Sequence, residues 1–195
     1  MQSGNIQINQ SGLKRVCVSL DYKIIDNALS EEKFSSLENE ILSSTQPWYY
    51  SYNVADANNE EDDMYFIHNY YFGLSDKPLM DSDGNPLPPE KSEWYDDIVP
   101  VLDLFTDMKT LLRAKANLYG KTKELVHHDN HTDTNFSHKG AILYINSNNG
   151  FTVLEDGTEI KSVRNRLLLF DPSKPHHSTS CTDDKRRVNI NFNYI

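Results

Sequence analysis

Residues 166–195 read RLLLFDPSKPHHSTSCTDDKRRVNINFNYI, and the periodicity of this stretch decides the fold. From residue 187 onward, Arg187, Asn189, Asn191 and Asn193 alternate with Val188, Ile190, Phe192 and Tyr194. Period 2 puts the polar set on one face of a strand and the apolar set on the other. Arg187 falls on the polar face, and Arg186 would face the opposite way. Working back from this strand, short β-like runs recur at 166–170 (RLLLF), 158–162 (TEIKS), 151–154 (FTVL), 141–145 (AILYI) and 113–119 (RAKANLY). Asn-Asn-Gly at 148–150 and Asp-Gly at 156–157 separate them at intervals that suit antiparallel strands. Roughly residues 113–195 therefore read as a β-sandwich or jelly roll.

The N-terminal part has a different period. Ser30 can cap a helix with Glu31 and Glu32 in its first turn and Phe34, Leu37, Ile41 and Leu42 on one face. A second stripe, Ile98, Val101, Leu102, Phe105, Met108 and Leu112, predicts another helix over about 97–113, with Pro100 tolerated in its first turn. KRVCVSL at 14–20 alternates like a half-buried strand. Between the helices lies a long irregular region whose acidic stretch at 58–63 and turn-rich stretch at 75–93 predict surface loops. Asp81-Ser82-Asp83-Gly84-Asn85 has its glycine two places too early for a calcium loop. The aromatic residues between Trp48 and Phe72 suit helix-sheet packing, with a share left for a substrate cleft. The expected architecture is α+β and mainly β, one domain over 1–195, its β core near 113–195 braced by helices within 21–112.

The chain has 195 residues, 19 Lys+Arg and 29 Asp+Glu, a formal net charge of −10. That excess of acid repels phosphate backbones and argues against a nucleic-acid partner. No run approaches the roughly 20 apolar residues that span a bilayer, and MQSGNIQINQ is no secretion signal. The expectation is a cytoplasmic protein without a membrane partner. Cys17 and Cys181 lie too far apart in sequence to propose a disulfide framework or thiolate metal site.

Six of the seven histidines lie within 127–177. Imidazoles mixed with carboxylates on a β scaffold suit a first-row transition metal better than Mg²⁺ or Ca²⁺. In His131-Thr132-Asp133 the outer side chains share one face of an extended chain and can bind one ion. Pro175-His176-His177 follows RLLLF and a turn, where a strand could return to the same pocket. Two His and one Asp occupy one face of an octahedron and leave three positions open. His127-His128-Asp129 is a rival triplet, and His177 a rival to His176. His68, His127, His128 and His138 are otherwise read as solvated or supporting residues.

In their order, these pieces resemble the Fe(II)- and 2-oxoglutarate-dependent dioxygenases, in particular the prolyl-4-hydroxylase-like branch, with its double-stranded β-helix core. HTD at 131–133 resembles the proximal ligand pair, and ILYIN at 142–146 the strand whose tyrosine, here Tyr144, contacts the cosubstrate. RLLLF followed by Pro175-His176 resembles the strand and turn before the distal histidine, and Arg187 the residue that binds the 2-oxoglutarate C5 carboxylate. The family's Y-P is matched in part by Tyr119-Gly120, which makes Tyr119 a second cosubstrate contact. The resemblance selects His131, Asp133 and His176 as metal ligands. It implies Fe(II), 2-oxoglutarate and O₂ as cofactor and cosubstrates, ascorbate as reductant, and hydroxylation of a protein or peptide side chain such as proline, or of a small molecule. Fe²⁺, one Asp carboxylate and dianionic 2-oxoglutarate sum to −1, so the remote carboxylate calls for a permanent cation, best a bidentate arginine. Two other readings stay open. One is a jelly-roll binding module that holds a metal without turnover. The other is a nucleic-acid demethylase of the same superfamily, whose RxNxTxR pattern is broken here at Asn191 and Asn193.

Overall fold

The alternation seen in sequence becomes the two faces of one large sheet. A computed structural model of the chain describes residues 22–51, 65–73 and 81–195. The strand expected at 14–20 and the acidic stretch at 58–63 lie outside the described residues. The elements in chain order are β1 (Tyr22–Asp26), α1 (Glu31–Ile41), β2 (Tyr49–Ser51), β3 (Tyr65–Phe72) and β4 (Glu90–Lys91). A 3₁₀ turn (Tyr95–Ile98) then runs into α2 (Val99–Leu102). There follow β5 (Leu111–Gly120), β6 (Lys139–Tyr144), β7 (Phe151–Val153), β8 (Glu159–Lys161), β9 (Arg166–Phe170), β10 (His177–Ser178) and β11 (Arg186–Tyr194). An eight-stranded sheet has the order β1-β9-β6-β11-β5-β3-β2, with β4 also paired to β3, and a three-stranded sheet has the order β10-β7-β8. All pairings within them are antiparallel. This is the jelly-roll, mainly β architecture that the sequence predicts.

The large sheet buries one face under the helices. Val188, Ile190, Phe192 and Tyr194 of β11 join Ala114 and Ala116 of β5 and Leu143 of β6 in one apolar cluster with Phe34, Leu37 and Ile41 of α1. The small alanines let the helical layer come close to the strands. Ser30 caps α1 through its hydroxyl, which accepts from the Lys33 N–H. Arg164 ties the helix down from the side: it donates to Glu31 and Glu38 and lies 4.6 Å from the Phe34 ring centroid. Arg186, on this same side of β11, donates to the Leu42 carbonyl just past the helix.

Two expectations fail in part. The helix predicted over 97–113 is only the short Tyr95–Leu102 segment. Turns bring Phe105 into the core, and Leu112 is buried as a residue of β5. The predicted irregular region contains the eight-residue β3, which pairs with β5 across a bulge between Asn69 and Tyr71. Its run YFIHNYYF carries little apolar-polar alternation, because residue type does not follow burial there: His68 is buried and Phe66 exposed.

Candidate metal centre

The polar residues of β11 face away from the helices, toward the three-stranded sheet. In register with them on β5 are Tyr119, Asn117, Lys115 and Arg113, paired with Arg187, Asn189, Asn191 and Asn193 respectively. Of these, Tyr119, Asn117, Lys115, Asn189 and Asn191 floor a narrow cavity whose walls include His131, Asp133, Thr152, His176, His177 and Ser178. On the same face Ile142, Tyr144 and Leu168 pack against Ile160 of β8, closing the space between the sheets at its apolar end.

Among the described residues, His131, Asp133 and His176 form the one group of three or more metal-binding side chains, with donor atoms all within 4.8 Å of one another. Ligands that share one octahedral face at about 2.1 Å from an ion stand about 3.0 Å apart, so binding one together requires these side chains to draw inward. The tautomers suit an ion. His176 Nδ1–H donates to the Lys174 carbonyl at 3.0 Å, and His131 Nδ1–H to the Asp129 carbonyl at 3.3 Å, so both Nε2 atoms carry lone pairs. His176 Nε2 is buried without a hydrogen-bond partner, the condition of a nitrogen that lacks its ligand. His131 Nε2 stands 3.7 Å from Asp133 Oδ1. Burial, with His176 beside it, lowers the His131 pKa to about 4, so the ring is neutral and ready to coordinate at physiological pH.

Asp133 is placed by residues that sequence reasoning had not singled out. Its Oδ1 accepts from Arg113 at 2.9 Å and its Oδ2 from the Asn193 amide at 2.8 Å. Asn193 in turn accepts from Arg113 Nε and contacts His138 Nε2, whose Nδ1 meets Thr134 and the Phe136 carbonyl. Burial would raise the Asp133 pKa, but Arg113 together with His176, Asn193 and His131 holds the carboxyl well below the usual carboxylate range. The alternation of RAKANLY and RVNINFNY carried the signal for Arg113 and Asn193, since both lie on the Arg187 face of neighbouring strands.

Arg187 is fully buried, 0% exposed, beyond the floor of the cavity. It donates to Ser162 Oγ at 2.8 Å, to the Thr179 carbonyl at 3.3 Å and to Thr152 Oγ1 at 3.3 Å, and lies 5.3 Å and 5.8 Å from the ring centroids of Tyr119 and Tyr144. No carboxylate pairs with it among the described residues. Tyr119 lines the cavity directly, and burial pushes its phenol up to about 12. Tyr144, also 0% exposed, donates to Thr152 Oγ1 at 2.8 Å and so reaches the cavity through that hydroxyl. Of the remaining histidines, His128 stacks on Tyr119 and bonds Ser178, while His68 is held between the Pro47 carbonyl and Ser92. The rival triplet does not converge with the group above: His127 pairs with His177 instead.

No protein-family model and no curated protein matches the chain. Solved structures do match it in fold. A 2OG-Fe(II) oxygenase family oxidoreductase from Burkholderia pseudomallei aligns with TM-score 0.63 at 10% identity, covering 90% of this chain and 85% of that one. A prolyl hydroxylase from Trichoplax adhaerens, in complex with a hypoxia-inducible factor oxygen degradation domain peptide fragment, aligns with TM-score 0.60 at 12% identity over 91% and 84%. A Pseudomonas putida prolyl-4-hydroxylase aligns with TM-score 0.56 at 12% identity over 89% and 92%. The chain has the fold of the 2-oxoglutarate-dependent oxygenases and prolyl hydroxylases.

Proposed function

We propose that the protein is an Fe(II)- and 2-oxoglutarate-dependent dioxygenase that hydroxylates a protein or peptide side chain, proline being the first candidate. The carrying observation is Arg187, a buried guanidinium with no carboxylate among the described residues, one layer behind a cavity that also holds two lone-pair imidazoles and a carboxylate. Burying such a charge is costly unless an anion meets it. A dicarboxylate cosubstrate with one end on a metal and the other on Arg187 supplies that anion.

In this reading His131, Asp133 and His176 hold iron(II), and the whole chain acts as one catalytic unit. Iron with bound 2-oxoglutarate and O₂ supplies oxidation of an unactivated C–H bond, coupled to loss of CO₂ and formation of succinate. The residues of the chain bind and orient. Arg187 takes the C5 carboxylate, with Thr152, Tyr119 and Tyr144 fixing its approach. Arg113 and Asn193 keep Asp133 ionised and aimed. The apolar wall of Ile142, Leu168 and Ile160 keeps water from the far end of the cavity. Ascorbate serves as reductant. Among the described residues no helix is long and apolar enough to cross a membrane. Peptide substrates are favoured by the likeness to the peptide-bound Trichoplax enzyme.

The test is conversion of 2-oxoglutarate to succinate by the purified chain with Fe(II) and ascorbate, followed by a peptide screen for oxygen incorporation by mass spectrometry. Succinate formation that disappears in Asp133→Ala supports the reading. Folded, iron-loaded protein that leaves 2-oxoglutarate untouched refutes it.

A further inference from the structure

The duplicated His-rich spelling of the sequence builds two separate constellations. His131 and His176 are bridge partners beside Asp133. One step along the same two segments, His127 bridges Thr179 in backbone and meets His177 in side chain, Nδ1 to Nε2 at 3.1 Å. We propose that His127 and His177 form a second metal site beside the cavity, of the nitrogen-donor kind that among first-row divalent ions binds Cu(II) most tightly.

Three features of the pair carry this. Two imidazole nitrogens bonded to one ion at about 2.05 Å stand about 2.9 Å apart in square-planar cis geometry and about 3.3 Å apart in tetrahedral geometry, from the ordinary metal–imidazole bond length. The observed 3.1 Å falls between them. The tautomer is also set: His177 Nδ1–H donates to Asn130 Oδ1 at 2.8 Å, which leaves its Nε2 lone pair facing His127 Nδ1, so moving the one proton of His127 to its other nitrogen and turning the rings would direct both lone pairs at one ion beside the line between them. Finally, the rings are held in place without being stacked on each other. They are tilted by 55° with centroids 5.4 Å apart, and His127 rests edge-on against Phe151. His127 is exposed and His177 half-buried, so the remaining coordination positions are open to water. His177 also lines the cavity of the first site, so an ion here would stand beside it.

The experiment is equilibrium dialysis of the metal-free full chain against Cu(II) alone, with electron paramagnetic resonance reporting nitrogen ligation. His127→Gln, His177→Gln and the double variant should each hold one Cu(II) fewer than the unsubstituted protein, because both rings serve one ion. The readout is a difference, so it stands whatever the His131/Asp133/His176 group binds. Near-UV circular dichroism checks the fold, and the exposed His127→Gln variant alone decides if His177→Gln disturbs the cavity. Equal Cu(II) in His127→Gln and the unsubstituted chain, or a loss of two ions in the double variant, overturns the site.

Discussion

His131 and His176 exchange both of their backbone hydrogen bonds, each N–H donating to the other's carbonyl at 3.0 Å. The two imidazoles are therefore carried by paired backbone. Removing one ring should leave the bridge intact. His131→Ala is expected to melt within a few degrees of the parent, yet lose Fe(II) uptake and succinate formation together. Anaerobic metal titration beside differential scanning calorimetry checks this.

Asn193 holds the free oxygen of Asp133 from a strand 60 residues away in sequence. Asn193→Ala should weaken metal affinity by about 10–100-fold, the usual effect of losing a partner that orients a ligand. Asn193→Asp should be worse, since it adds a like charge beside Asp133. Competition against a chelator of known affinity measures both.

The proposed cosubstrate site has a remote control point at Gly150. A methyl group there would lie 2.6 Å from Arg187 Cδ and 2.5 Å from the Ser180 carbonyl oxygen, so Arg187 must move. Gly150→Ala and Arg187→Lys are both expected to raise KM for 2-oxoglutarate. For Arg187→Lys the rise is about 10–100-fold, the equivalent of a charge-assisted hydrogen bond of about 1.5–3 kcal/mol. Steady-state succinate assays decide it, and an unchanged KM would remove Arg187 from cosubstrate binding.

Acid should destabilise the fold through His128. Burial, then Arg187 and the neighbouring His177, His131 and His127, lower its pKa from 6.5 to about 3. The unfolded chain therefore binds this proton more readily than the native one, and stability rises with pH between about 3 and 6.5. Stability is full above pH 6.5 and is lost as the pH falls through that window. Urea unfolding at pH 7.5 and pH 5 should show the drop, and His128→Gln should reduce it, the remainder coming from His131, whose pKa is lowered to about 4.

Phe34 is 0% exposed beneath α1 and under the Arg164 guanidinium. Phe34→Ala should cost about 3–5 kcal/mol of stability, the range for an emptied aromatic core position. Chemical denaturation measures it.

The strands after residue 110 were legible because each is a short alternating or continuously apolar run with turn residues at its ends: 187–195 alternates, while 166–170 is apolar after Arg166, with Leu167 and Leu168 buried on opposite faces. β3 was not, because its residue types do not follow its burial: the polar His68 is buried while the apolar Phe66 is exposed. The stripe from Ile98 to Leu112 misled for the opposite reason: successive turns and then a strand can bury residues at a helix's spacing. At the candidate site, two-residue spacing in His131-Thr132-Asp133 and its order relative to His176 singled out residues that the fold does bring together. The separation of His127 from that group, and the grip of Arg113 and Asn193 on Asp133, depend on which residues of distant strands come opposite one another. No local pattern encodes that pairing.

The last strand alternates between two masters. Val188, Ile190 and Phe192 answer to the helical layer, while Asn189 and Asn191 line the cavity. Neighbouring codons of one short gene segment are thus under unlike demands, so this strand can drift in its cavity-facing chemistry without unfolding, or in robustness without altering the cavity.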